Sequence, residues 1–320
     1  MSAPSVFVRR LAARTARRLG LRRPMPRGRR LVLHLGSQKT GTTAVQAWCR
    51  QNAAVLAAAG VTARTDQGEI RKTLGGWYEA ARPGSAERLE AYLTQSWHDT
   101  RRPGLYYSCE SNVGAAFLDS SPALYPRLAD NLAALESATA GVPRHVQFSV
   151  RSYRDFLESA YQQQLKAGRS RPFEALADRV LDDLSWRPVV STLIETFGAE
   201  NVTVYDYDRA RPEGSGLVRQ IILDAVHRLG GAPVDVTVDE SHRVNVRYSQ
   251  RMADLSMATL PLLRTPQERA ALHQFSVQTL GRHPVPDDAP ARFLTGDAVE
   301  ALAARYAADI DWVAERVEVR

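Results

Sequence analysis

Apolar positions in this chain come in short runs punctuated by glycine and proline. Leu31-Val-Leu-His-Leu35 is such a run, closed by Gly36, and Thr43 to Ala59 then has helix-forming composition up to Gly60. The order is strand, glycine loop, helix. Gly104-Leu-Tyr-Tyr-Ser-Cys109 reads as a second strand behind Pro103, and His145-Val-Gln-Phe-Ser-Val150 as a third behind Pro143. Ser152 to Lys166 has a helical pattern, with Ser152 and Asp155 spaced as a capping box and Gly168 where a helix stop belongs. Phe173 to Leu184 and Pro188 to Phe197 predict two more helices. Asn201 to Asp206 alternates like a strand, and Gly216 to Leu229 is helical again.

Strands that alternate with helices predict an α/β fold: a doubly wound, mainly parallel sheet with helices on both faces. Residues 230–246 look irregular, and the last seventy residues predict helices interrupted around Pro266 and over 283–291. The expected division is a basic arm over 1–28 and one domain over 29–320, whose helical C-terminal part starts near 249. No internal repeat is apparent.

Composition adds two points. With 320 residues, 44% hydrophobic and 24% charged, the chain has enough apolar material for one substantial core. Its formal charge of +7 favours anionic partners without choosing among them. Much of that charge sits in the first thirty residues, which hold Arg9, Arg10, Arg14, Arg17, Arg18, Arg22, Arg23, Arg27, Arg29 and Arg30 and no acid. The Arg9-Arg10 pair lacks the apolar stretch of an export signal, so the arm reads as a solvated tail, with contact to an anionic membrane or glycan surface as the alternative. Cys49 and Cys109 form no metal or redox spacing, which fits a reducing cytoplasm. No apolar run approaches the roughly 18 to 20 residues of a membrane span.

The chemistry concentrates at Gly36-Ser-Gln-Lys-Thr-Gly-Thr-Thr43, between a strand and a helix, where backbone N–H groups and the helix dipole attract an anion. A Walker loop reads G-x-x-x-x-G-K-[ST], but here Thr42 follows the second glycine and the lysine is Lys39, inside the loop. A lysine there sits over the nearer of two anionic groups.

The segment L-H-L-G-S-Q-K-T-G-T-T-A-V-Q, residues 33–46, resembles the 5′-phosphosulfate loop of sulfotransferases that use 3′-phosphoadenosine 5′-phosphosulfate (PAPS), usually worded P-K-[ST]-G-T-[ST]. Gln38 stands where proline is common, which puts only loop rigidity in question. A second segment, Phe148 to Tyr161, resembles that family's 3′-phosphate site, an arginine at a strand end and a serine eight positions later, here Arg151 and Ser159. The resemblance is to bacterial, P-loop-like members and covers under a fifth of the chain.

It implies PAPS as donor, no metal, and in-line transfer to a hydroxyl or amine of a glycan, lipid or small metabolite, with no nucleic acid partner. Lys39 would serve catalysis; Gln38, Lys39, Thr40, Gly41, Thr42 and Thr43 would hold the 5′ end, and Arg151 and Ser159 the 3′-phosphate. Tyr-Ser-Cys-Glu-Ser-Asn112 is similar to the family's S-S-E stretch, which makes Glu110 the base candidate; the alternative is a turn cap. Arg243, Asn245 and Arg247 resemble lid residues, with Asn245 a nucleotide contact. His34 reads as a core histidine, while His98 and His242 are reserve bases. Gln162, Gln163, Gln164 and Lys166 read first as a solvent face, then as an acceptor cleft. Two other functions stay open: a small-molecule kinase, with Asp206 as a magnesium ligand, and a non-catalytic protein that binds nucleotides or anionic polymers.

Overall fold

The computed structural model describes residues 27–76, 79–210, 216–238, 248–283 and 285–320. Chain order starts with β1 (Arg30–His34), α1 (Thr42–Gln51), α2 (Ala53–Ala58) and β2 (Val61–Arg64). Then come α3 (Gln67–Thr73), α4 (Ser85–Thr100), β3 (Gly104–Ser108), a 3-10 turn over Glu110–Val113 and α5 (Leu128–Ala138). The second half brings β4 (Arg144–Val150), α6 (Tyr153–Lys166), α7 (Phe173–Val180), α8 (Arg187–Phe197), β5 (Val202–Asp206) and α9 (Gly216–Arg228). It ends with α10 (Gln250–Thr259), α11 (Pro266–Phe275), α12 (Asp297–Ala314) and β6 (Glu318–Val319).

Among the described residues six strands lie in one parallel sheet, in the order β2-β3-β1-β4-β5-β6. Alternation along each strand builds two cores. Leu31, Leu33, Leu105, Tyr107, Val146, Phe148 and Val204 point to the face covered by α4, α5, α6, α8 and α12. Val32, Tyr106 and Tyr205 point to the other, covered by α1, α2 and α9. β4 is unusual there, because its residues on that second face are His145, Gln147 and Ser149, all buried. Gln147 Nε2 lies 3.0 Å from Tyr205 Oη and from the Ile221 carbonyl, and 2.9 Å from Asp224 Oδ2, which satisfies the buried donor.

The helix after β1 thus packs on one face and the helix after β4 on the opposite face, so the loops leaving these two neighbouring strands diverge. Open α/β sheets bind ligands at such a switch point.

Three expectations need correction. The helix read over 43–59 is two helices, because Asn52 turns its side chain back onto the Trp48 carbonyl at 3.0 Å and leaves helical geometry. Ser152 and Asp155 make no capping box; Ser152 caps α6 without a side-chain bond, and Asp155 pairs with Arg151 and Arg292. β6 adds a strand to the C-terminal part, whose pattern predicts only helices. Among the described residues no helix is long and apolar enough to cross a membrane.

Candidate functional site

The loop after β1 is held from below and left open above. Gly36 and Ser37 donate their N–H groups to the carbonyls of Gln147 and Ser149 at 3.3 and 3.2 Å, which extends the β1–β4 ladder. Gln38 N–H donates to Tyr125 Oη at 3.0 Å. A proline could not make that bond, so Tyr125 supplies the bracing that proline's ring gives elsewhere. Beyond it, the five N–H groups from Lys39 to Thr43 find no acceptor among the described residues. Lys39 at φ 68° and Gly41 at φ 81° alternate with Thr40 and turn this run into a concave nest at the start of α1. Thr40 fixes the bend by donating its hydroxyl to the Ser37 carbonyl at 2.6 Å.

Gly36 cannot be replaced cheaply. Its φ is +40°, and an added Cβ would stand 2.6 Å from Thr42 Cγ2. Directly beneath, the His34 imidazole is fully buried, with Nδ1 2.9 Å from Ser108 Oγ. Burial drives its pKa down to about 3, so it is a neutral core residue beneath the loop.

Arg151, at the end of β4, reaches across the crevice. Its Nη1 donates to the Lys39 carbonyl at 2.9 Å, and Nη2 pairs with Asp155 at 3.5 Å. The guanidinium stacks 4.9 Å from the Tyr207 ring centroid, and that ring also lies 3.4 Å from where a Cβ on Gly41 would be. Arg151 Nε is buried and lacks an acceptor among the described residues. Arg151 therefore braces the loop and keeps a donor in reserve. Ser159 is half-buried on α6.

Lys39 Nζ donates to Gln163 Oε1 at 2.6 Å. Burial lowers the Lys39 pKa, the Glu110 carboxylate opposes that shift and the Arg151 charge adds to it. Glu110 opens the 3-10 turn after β3 and does not cap it; the cap position is Cys109, with no side-chain bond. Instead Gln46 Nε2 and Gln67 Nε2 both donate to Glu110 Oε2, at 2.8 and 3.0 Å. Two donors on one oxygen hold the carboxyl group in one orientation, and Oε1 has no donor among the described residues.

The carboxyl edge of the sheet thus brings together Gln38, Lys39, Thr40, Gly41, Thr42, Thr43, Glu110 and Arg151 from three strand ends. Asn245, Arg243, Arg247 and His242 lie outside the described residues. His98 sits in the last turn of α4. Asp206 accepts from Tyr306 Oη at 2.7 Å and from the N–H groups of Asp208 and Arg209 at 3.0 and 3.3 Å, which makes it a helix-start residue. Sequence reasoning missed Gln67, Tyr125 and Tyr207 and gave Gln46 no role. Gln46 alone carried a signal, one turn into the helix that follows the loop.

No family model matches the chain, and no curated protein does. Among solved structures, a sulfotransferase from Alicyclobacillus acidocaldarius is 16% identical, with 76% of this chain and 95% of that one covered and a TM-score of 0.42. The sulfotransferase domain of the Synechococcus PCC 7002 olefin synthase is 14% identical, covering 89% and 96%, at a TM-score of 0.36. A structure of the PezAT toxin–antitoxin system of Streptococcus pneumoniae is 11% identical, covering 85% and 98%, at 0.22. None of these is close enough to transfer an activity.

Proposed function

We propose that the chain is a PAPS-dependent sulfotransferase. The observation that carries this reading is the nest of five open N–H groups beside Lys39, faced by Arg151 with its free Nε. Such a nest suits one compact phosphate-like group, and a lysine inside the loop suits a second anionic group directly attached to it. The unengaged Nε of Arg151, with Ser159 one helix turn and more beyond it, suits a further phosphate at a fixed distance.

The residues divide the work. Loop amides with Thr42 and Thr43 hold the 5′-phosphate, and Arg151 with Ser159 fixes the 3′-phosphate, so that donor and acceptor start aligned. Glu110 Oε1 takes the proton of the acceptor hydroxyl or amine as its oxygen or nitrogen bonds to sulfur. The sulfur–oxygen bond to the 5′-phosphate breaks, its electron pair stays on the phosphate oxygen, and Lys39 neutralises the charge that grows there. Gln46 and Gln67 keep Glu110 aimed.

Calorimetric titration with 3′,5′-adenosine bisphosphate and with adenosine 5′-phosphate tests this. The bisphosphate is expected to bind tighter by at least ~1.5 kcal/mol, the lower range for a charged hydrogen bond, with or without magnesium. Equal affinities, or a requirement for magnesium, would overturn the reading.

A further inference from the structure

One face of α6 is polar for its whole second half. Ser159, Gln162, Gln163 and Lys166 stand three, four and seven residues apart and share a stripe, while Phe156, Leu157, Tyr161 and Leu165 enter the core. The start of the stripe belongs to the donor in the reading above, and its middle touches Lys39 through Gln163. Lys166 comes last, about 10 Å along the axis from Ser159 at 1.5 Å per residue.

The surroundings of Lys166 are rich in donors. Its Nζ lies 5.0 Å from the centroid of the buried Tyr248 ring, and Tyr248 Oη is 2.6 Å from His273 Nδ1 on α11. Gln162 is only 3% exposed. Its Oε1 accepts the Tyr248 N–H at 3.1 Å, while its Nε2 is buried with no acceptor among the described residues. A buried donor in that condition costs free energy that a ligand's acceptor atom would recover. Burial brings the Lys166 pKa down to about 8, and the nearby Lys39 charge pushes the same way. His273 is lowered too, by burial and by Lys166. An anion placed here would relieve two cations that repel each other in a half-dry corner.

We propose that the acceptor substrate carries an anionic group, a carboxylate or a phosphate, received by Lys166 and by the free amide of Gln162. This rests on the sulfotransferase reading and narrows it: Lys166 binds the acceptor on the side of Lys39 away from the 3′-phosphate. Lys166 is the titrating group, since lowered His273 is neutral above its pKa and Lys39 acts on turnover. The ammonium is present below pH 8, so the acceptor KM should rise as the pH passes about 8.

The test passes a cell extract through an anion-exchange resin and offers the unretained and the retained pools as acceptors, with PAPS carrying labelled sulfate. Labelled product is expected from the retained pool. Lys166→Gln should then raise the KM for that pool about 10-fold or more, with kcat and adenosine bisphosphate affinity within about 3-fold of the parent. Phosphatase treatment of the pool before reaction separates the sources: loss of acceptor activity identifies a phosphate monoester, and survival a carboxylate or a phosphodiester. Product only from the unretained pool, or an unchanged KM in Lys166→Gln, would overturn the inference while leaving the sulfotransferase reading intact. Product from neither pool would remove that reading itself, and the inference with it.

Discussion

The loop after β1 and the segment after β4 meet at one crevice and are built on opposite principles. The loop offers five backbone N–H groups, and Thr40 fixes its bend through the side-chain hydroxyl. The segment after β4 has ordinary helical backbone from Tyr153 onward, and everything it offers comes from the side chains of Arg151, Ser159, Gln162, Gln163 and Lys166. A backbone site tolerates side-chain exchange and is intolerant of changes in φ. A side-chain site has the reverse sensitivities.

Substitutions can break or sharpen this contrast. Glu110 belongs to neither region, so Glu110→Gln should lower turnover by about 10² to 10⁴, the range for a positioned base, and leave adenosine bisphosphate affinity unchanged in a titration. A fall in affinity would show that the acceptor side is not separable from the donor site. In the proposed reaction Lys39 is the loop residue whose charge serves the leaving group. Lys39→Ala is expected to cost roughly 10² in turnover with nucleotide binding still measurable, and activity within a few-fold of the parent would reassign that charge.

In the side-chain region, Arg151→Ala should reduce the preference for the bisphosphate over adenosine 5′-phosphate by about 10- to 150-fold, which corresponds to roughly 1.5–3 kcal/mol. An intact preference would mean that Arg151 only braces the Lys39 carbonyl. In the backbone region, Gly36→Ala forces a Cβ to 2.6 Å from Thr42. Its expected cost of about 1–3 kcal/mol should weaken both nucleotides alike, by roughly 5- to 150-fold. The smallest effect belongs to Tyr125→Phe, which frees the Gln38 N–H. Melting should report about 1 kcal/mol of lost stability, and turnover should change little.

Legibility in the sequence followed locality. β1 and β3 are readable as apolar runs behind or before breakers, and β4 and β5 through the alternation of apolar with polar residues. β2 and β6 are not, since Val61-Thr-Ala-Arg64 lacks a run and Glu318–Val319 is too short to show one. The loop after β1 declares itself through glycine spacing and Lys39, and Glu110 through its place after a strand. Their partners are different: Gln67 lies 43 residues before Glu110, and Tyr125 lies 87 after Gln38. Pairings over such distances arise from strand order, which no local pattern encodes.

The polar face of β4 has a consequence for how the sheet assembles. Parallel strands can pair in several offsets that differ little in backbone bonding, and a shift by one residue exchanges the faces of the moving strand. For β4 that exchange would press Gln147 and Ser149 against the side of Phe148 and carry Phe148 and Val150 toward Asp224 and Tyr205. Gln147 would lose three partners at once. Misassembly of the middle strand is thereby penalised twice, and the two loops that frame the crevice can come to opposite sides of it only when β4 has taken its one acceptable offset.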